Sequence, residues 1–208
     1  MSLVNQYSPR SQTHPTQRAI LEGAVALLAT RGYEQTSIGK LSGHLGISKG
    51  VINYHFRTKE VLMQETIAYI YADARQFMEQ QVWRTDNAWT QLETFIELSC
   101  AYYDASRFHI QALQELRANF RPVQAESLAV ALHKKELRDL ESVIVSGQQS
   151  KLFRAFDPQI GALTLRMALN GAAQQIVDDR TQPELAATYA RELQAMFRRA
   201  WVWQAQNE

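Results

Sequence analysis

The stretch TSIGKLSGHLGISKGVINYHFRTKE, residues 36–60, predicts two short helices joined by a tight turn, followed by the start of a third. Thr36 and Ser37 can cap the first helix, in which Ile38, Leu41 and Leu45 recur at a spacing that puts them on one face. Gly46 follows directly, and glycine adopts the positive φ with which a helix stops and turns. Two short helices across such a turn are typical of a helix-turn-helix, whose second helix lies in the DNA major groove.

The second helix of this pair is expected over residues 49–56, with Ser48 as its N-cap. At 100° per residue, Ile52 and Phe56 point toward a core. The opposite face carries groups that suit DNA, because an amide pairs with adenine, a branched side chain contacts a thymine methyl, and a phenol or an ammonium binds phosphate. These groups belong to Asn53, Val51, Tyr54 and Lys49, next to Gly50, which leaves room for a close approach.

Several short motifs occur together in this region. They are RAIL at 18–21, RGY at 31–33, TSI at 36–38, GISKG at 46–50, YHF at 54–56 and KE at 59–60. Together they resemble the DNA-binding domain of the TetR family of bacterial transcriptional regulators. Asn53 stands where an aromatic residue is usual in that family, and Ser42 where alanine is usual. The alternative is a helical corner with a purely structural role. The resemblance and the exposed face imply DNA contacts by Thr36, Ser37, Ser48, Lys49, Gly50, Val51, Asn53, Tyr54, His55 and Lys59.

Composition favours an all-α protein, since the 208 residues include only 9 Gly and 5 Pro, with long stretches that lack both. Residues 1–60 hold 7 Lys and Arg against 3 Asp and Glu, whereas the remainder holds 15 against 18. A basic head on an acidic body fits a protein that meets DNA with one end. We therefore expect a disordered arm over 1–14, a three-helix DNA-binding domain over 15–60, and a helical ligand-binding and dimerisation domain over 61–208.

The remaining helices follow from caps and apolar spacing, with Thr58 and Asp157 as N-caps and Gly147 as a C-terminal stop. Including the first helix, they are expected over residues 15–31, 58–82, 88–103, 107–120, 122–146, 158–178 and 183–201. The residues 147–157 are expected to form an irregular connector.

Nothing in the sequence indicates enzymatic chemistry. His44, His55, His109 and His133 fall on separate expected helices, and no metal-binding, nucleophile or phosphate-binding motif occurs. We therefore expect no catalytic residues, no metal and no cofactor. Cys100 is the only cysteine and fits a buried small side chain, with a redox sensor as the alternative. Without a signal peptide or a long apolar run, the sequence predicts a cytoplasmic protein that does not enter membranes.

Aromatic side chains are frequent between residues 83 and 120, interspersed with polar ones. Such a composition suits both a small-molecule pocket and ordinary core packing. The TetR resemblance favours the pocket, because proteins of that family bind a small molecule in the body. Arg117 is a candidate anchor for an acidic ligand. The candidate pocket residues are Trp83, Trp89, Phe95, Tyr102, Tyr103, Phe108, His109 and Arg117.

The last helix carries a wide apolar stripe, and residues 168–173 of the preceding helix are small enough for close helix packing. The resemblance implies a homodimer formed through these two helices. Candidate interface residues are Met167, Gly171, Leu193, Phe197 and Trp201. We thus expect a homodimeric repressor that binds a palindromic operator and is released by a small molecule. The alternative is an architectural or adaptor helical dimer without a small-molecule effector.

Overall fold

A computed structural model describes residues 14–82, 84–121, 128–179 and 181–203. Within these residues the predicted all-α architecture is confirmed. The helices are α1 Pro15–Arg31, α2 Ile38–Leu45, α3 Lys49–His55, α4 Lys59–Val82, α5 Ala88–Ala105, α6 Arg107–Asn119, α7 Leu128–Gln149, α8 Pro158–Asp178 and α9 Leu185–Trp201. None of these described helices combines the length and the apolar character that crossing a membrane requires. The arm, the expected helix start at Pro122 and Trp83 lie outside the described residues.

The chain divides into two compact units. The first consists of residues 1–75 and 106–132, and the second of residues 76–105 and 133–208. In both units the structure is limited to the described residues. The helix α6, which the sequence places in the regulatory body, thus shares a unit with α1, α2 and α3.

The described residues of the first unit share a hydrophobic core. In it α1 packs against α2 and α6, and α2 packs against α3. Apolar side chains from each of these helices and from α4 are fully or almost fully buried there. They include Ile20, Leu21, Leu28, Leu41, Ile52, Phe56, Leu62, Met63, Ile70 and Leu116.

Local capping explains where the short helices of this unit begin and end. The hydroxyl oxygen of Ser37 accepts from the N–H of Lys40 at 3.2 Å, and that of Ser48 accepts from the N–H of Val51 at 3.3 Å. Gly46 closes α2 in the left-handed conformation with φ 66°. The predicted caps and the predicted glycine turn are therefore confirmed.

In the second unit α5 packs against both α8 and α9, which also pack against each other. The N-cap predicted for α8 is present, since Oδ1 of Asp157 accepts from the N–H groups of Gln159 and Ile160 at 2.9 and 3.0 Å. Buried side chains of this unit include Leu92, Ile96, Cys100, Tyr102, Ile144, Leu165, Leu169, Ile176 and Phe197.

The expectation that Gly147 ends α7 is wrong, because the helix continues to Gln149. Glycine is needed at this point for space, since a Cβ on Gly147 would overlap the ring of Phe153. The chain turns later, at Lys151, whose φ is 59°.

The connector after α7 is also more regular than expected. The N–H of Arg154 donates to the carbonyl of Trp201, and the N–H of Trp203 donates to the carbonyl of Leu152, both at 2.9 Å. Phe153 and Val202 form an antiparallel bridge between these bonds. The end of α9 is therefore tied to the end of α7 by backbone pairing.

The crowding at Gly147 gives a stability prediction. Gly147→Ala should lower the free energy of unfolding by about 1–3 kcal/mol, because the added methyl group forces the Phe153 ring out of its position. Gly43→Ala is the matched control, since a Cβ there meets no atom within 4 Å in the described structure. That change should raise stability by about 0.5–1 kcal/mol, because alanine favours a helix. Urea unfolding of both variants checks the prediction, and equal effects would contradict it.

Candidate functional site

The helix α3 has a buried face and a face open to solvent. Ile52 and Phe56 are completely buried in the core of the first unit. The opposite side chains are exposed, and Tyr54 retains 84% of its accessible surface. The exposed residues of this face are Lys49, Gly50, Val51, Asn53 and Tyr54. Structure and sequence thus agree on which side of α3 is available to a partner.

The turn between α2 and α3 is closed by a side chain that departs from the TetR pattern. The hydroxyl of Ser42 donates to the carbonyl of Ile47 at 2.6 Å, and the N–H of Ile47 donates to the carbonyl of Ser42 at 3.2 Å. Alanine at this position could form only the second bond. Ser42 therefore fixes the angle at which α3 leaves the turn.

Not all of the predicted DNA-binding residues are available at the surface. Thr36 is completely buried, and its hydroxyl donates to the carbonyl of Gly32 at 2.8 Å. Nζ of Lys59 donates to the carbonyl of Tyr33 at 2.9 Å, and burial lowers the pKa of this lysine. Both side chains therefore stabilise the turn after α1. Ser37 and Ser48 act as helix caps.

His55 is half-buried at the end of α3 and lies among other rings. Its ring centroid is 5.1 Å from that of Tyr54 and 5.6 Å from that of His14. His14 itself caps α1, since its Nδ1 accepts from the N–H of Thr16 at 3.3 Å. The candidate DNA face thus consists of the exposed residues between Lys49 and Tyr54, and His55 and His14 lie beside it.

The candidate pocket residues belong to different units. Trp89, Phe95, Tyr102 and Tyr103 are buried in the second unit. Phe108, His109 and Arg117 belong to the first unit, and Trp83 lies outside the described residues.

Of the three pocket candidates in the first unit, His109 and Arg117 have local partners and Phe108 is exposed. Phe108 is 48% exposed. Nδ1 of His109 lies 3.0 Å from a carboxylate oxygen of Asp73. Nη2 of Arg117 donates to the hydroxyl of Tyr71 at 3.0 Å. Arg117 is exposed and interacts with α4 of its own unit, which gives no support to its role as an anchor for an acidic ligand.

A buried polar cluster that the sequence analysis missed surrounds Arg166 in α8. Only 7% of Arg166 is exposed, and its Nη1 donates to Oε1 of Glu136 at 2.6 Å. Its Nη2 donates to the hydroxyl of Tyr103 and to Oδ1 of Asn170. Burial raises the pKa of Tyr103, and the neighbouring guanidinium partly opposes that rise. The available signal was an arginine within the apolar run LTLRMAL of α8.

Cys100 is completely buried beside this cluster, and burial raises its pKa to about 12. The thiol therefore stays protonated at neutral pH and lacks the thiolate that redox chemistry requires. In the part of the chain that the structure describes, no three His, Cys, Asp or Glu side chains come together as a metal site would need.

The candidate dimer residues also fall into two groups. Met167 is 49% exposed, and a Cβ on Gly171 would meet open space. Leu193, Phe197 and Trp201 are instead buried within their own unit, where the Phe156 ring stacks on Trp201 at a centroid distance of 5.1 Å. Further exposed apolar side chains of this unit are Phe77, Ile160, Leu163, Met196 and Trp203.

Comparison with known proteins agrees with the geometry of the first unit. Residues 20–66 match a family model described as bacterial regulatory proteins, tetR family. The chain carries a TetR-family DNA-binding domain. No curated protein matches the chain.

Solved structures of transcriptional regulators share the fold over most of the chain. One is described as a transcriptional regulator from Saccharomonospora viridis in complex with choline, with 21% identity, coverage of 90% of this chain and 98% of the other, and a TM-score of 0.76. A second is the TetR-family regulator PfmR from Thermus thermophilus, with 22% identity, coverage of 86% and 97%, and a TM-score of 0.74. A third is AibR in complex with isovaleryl coenzyme A and operator DNA, with 21% identity, coverage of 87% and 97%, and a TM-score of 0.72.

The buried ion pair of the second unit gives a further stability prediction. Arg166→Met should lower the free energy of unfolding by about 3 kcal/mol, because it leaves the Glu136 carboxylate without its guanidinium. Lys135→Met is the matched control, because it breaks the more exposed Lys135–Asp139 pair of 2.7 Å on α7, the helix that also carries Glu136. That loss should be below about 1 kcal/mol. Chemical denaturation measures both, and an Arg166→Met variant as stable as the control would contradict the prediction.

Proposed function

We propose that this protein is a homodimeric transcriptional repressor that binds a palindromic operator and is released by a small molecule. The observation that carries the proposal is the outer face of α3. Its inner residues Ile52 and Phe56 are fixed in the core, while its outer side chains are solvent-exposed and chemically suited to base edges and phosphates. Operator DNA in the complex of AibR, a protein of the same fold, supports this assignment.

Within this face we assign different tasks to Asn53 and Lys49. The exposed amide of Asn53 can pair with the N6 and N7 atoms of adenine, whereas the ammonium of Lys49 suits a phosphate. Lys49, rather than Lys59, is our candidate for the general phosphate contact, because Nζ of Lys59 is bound to the carbonyl of Tyr33.

Substitution of these two residues should separate base reading from phosphate binding. Asn53→Ala should weaken binding to an operator selected by the wild-type protein by about 1–3 kcal/mol and relax its adenine preference. Lys49→Ala should weaken binding to all sequences alike and reduce the salt slope by about 1. Fluorescence anisotropy on selected and random DNA measures both effects. Equal losses on the two DNAs for Asn53→Ala would show that Asn53 does not read a base.

The dimer is proposed to form through the exposed apolar face of α8. Ile160, Leu163, Met167 and Gly171 lie along one side of that helix and are exposed, so two copies can bury them against each other. The open space at Gly171 permits close approach of two helices. In such a dimer two copies of α3 would meet half-sites whose centres are about 34–36 Å apart, or a multiple of this distance.

A charge on this face should disrupt assembly without unfolding the chain. Met167→Glu should convert the dimer to a monomer at micromolar concentration, because two carboxylates would be buried at the interface. Ser142→Glu, an exposed position of α7, is the matched control and should remain dimeric. Phe197 and Trp201 are unsuitable for this test, since they are buried within their own unit. Sedimentation velocity gives the answer, and a monomeric wild type or a dimeric Met167→Glu would refute this interface.

The effector is proposed to bind near the Arg166 cluster. Relatives with this fold bind molecules as different as choline and isovaleryl coenzyme A, so the fold alone does not select a ligand. Oε2 of Glu136 is buried and has no hydrogen-bond partner within the described residues, which leaves an acceptor for a hydroxyl or amine group. Anisotropy of the protein on its selected operator, with candidate ligands added, tests this proposal.

A dimer that selects no DNA would favour the alternative of an architectural or adaptor protein.

A further inference from the structure

The turn that follows α1 is held by side chains from two distant parts of the chain. The N–H of Tyr33 donates to Oε1 of Glu115 on α6 at 2.8 Å. The carbonyl of Tyr33 accepts from Nζ of Lys59 on α4 at 2.9 Å. The carboxylate of Glu115 thus binds the backbone N–H of Tyr33, and the ammonium of Lys59 binds its carbonyl. All three residues belong to the first compact unit.

Glu115 reaches this backbone because Gly32 carries no side chain. The φ of Gly32 is +78°, and a Cβ there would lie 3.1 Å from Oε1 of Glu115. Nδ2 of Asn119, one helical turn further along α6, donates to the same carboxylate oxygen at 2.8 Å. The Glu115 carboxylate is therefore oriented by a residue of its own helix as well as by its bond to the turn.

The same two helices also fix the Tyr33 ring. Nζ of Lys59 lies 3.9 Å from the ring centroid, and the centroid of Phe120, which directly follows α6, lies 6.0 Å away. Burial lowers the pKa of Lys59 and raises the pKa of Tyr33. The contact between the Lys59 ammonium and the Tyr33 ring is thus partly sheltered from solvent. Salt therefore screens the charge of Lys59 less than it would screen a fully exposed charge.

The turn connects α1 to the helix-turn-helix. The hydroxyl of Thr36 donates to the carbonyl of Gly32, and the N–H of Thr36 donates to the carbonyl of Tyr33 at 3.1 Å. Ser37 then caps α2. The backbone of residues 32–37 consequently sets the direction in which α2 leaves α1, and through the next turn the direction of α3.

We infer that Glu115 is a positioning residue for DNA binding, which holds the turn after α1 and so orients α2 and α3. It lies outside residues 20–66, the segment that matches the TetR family. The inference rests on the proposed DNA-binding function. It makes the C-terminal end of α6 a part of the DNA-binding half of the protein.

Two substitutions at Glu115 test this role. Glu115→Ala should lower affinity for an operator selected by the wild-type protein about tenfold, as expected for loss of a hydrogen bond to a charged group. The affinity of Glu115→Ala for random DNA should change by less than about twofold. Binding to random DNA depends on phosphate contacts, which do not require α3 to be in register with particular base edges. Glu115→Gln keeps an oxygen acceptor for the Tyr33 N–H and should recover most of the operator affinity. Melting temperatures identify any loss that is due to unfolding.

Glu34→Ala is the matched control, because it removes one exposed carboxylate from the residue next to Tyr33. Operator affinity should stay within about twofold of wild type in this control, as expected for an exposed charge. Hydrogen exchange at the Tyr33 amide should accelerate in Glu115→Ala and remain slow in Glu34→Ala. Equal losses on operator and random DNA, or no loss on either, would overturn the inference. If the wild type selects no DNA, the proposed function fails, whereas unchanged Tyr33 exchange in Glu115→Ala overturns the positioning contact itself.

Discussion

The burial of Ile52 and Phe56 is the contact on which the DNA-binding half depends. The helix α3 has only seven residues, from Lys49 to His55, and a helix of that length is not stable alone in water. It forms because these two side chains are fully buried with Leu41 and the apolar face of α1. The serine caps stabilise its first turn, and the core fixes its rotation about its own axis. The outer side chains take no part in that core and are therefore available for a partner.

The second constraint acts on the backbone that connects this core to α1. At Tyr33 a donor and an acceptor of the same residue are bound by charged side chains of opposite sign. A buried peptide group without a partner destabilises the fold, so such bonds hold the turn in one conformation. The contrast with Arg117, whose contact to Tyr71 is exposed, is informative. Both are polar contacts that α6 makes within the first unit, but of the two only the contact of Glu115 reaches the turn that carries the helix-turn-helix.

Features whose deciding interactions are local can be predicted from the sequence. Ser37, Ser48 and Asp157 lie within three residues of the N–H groups they cap, and Gly46 acts through its own φ. The role of Gly147 could not be predicted, because a glycine near a helix end has two causes that look alike in sequence: a positive φ, or the lack of space beside a distant ring. The roles of Arg166 and Glu115 could not be predicted either, because their partners lie 30 to 82 residues away and periodicity within one helix carries no information about them.

The two departures from the TetR pattern have different physical meanings. Ser42 gains a bond to the Ile47 carbonyl, so its effect is contained within the domain and concerns the turn. Asn53 is exposed and makes no side-chain hydrogen bond within the described residues, so neither the core nor a cap requires an amide there. An aromatic ring at position 53 would leave Ile52 and Phe56 in place and alter only the surface that α3 presents. Under the proposed function, Asn53 therefore bears on operator choice, whereas Ser42 bears on the angle at which α3 leaves the turn.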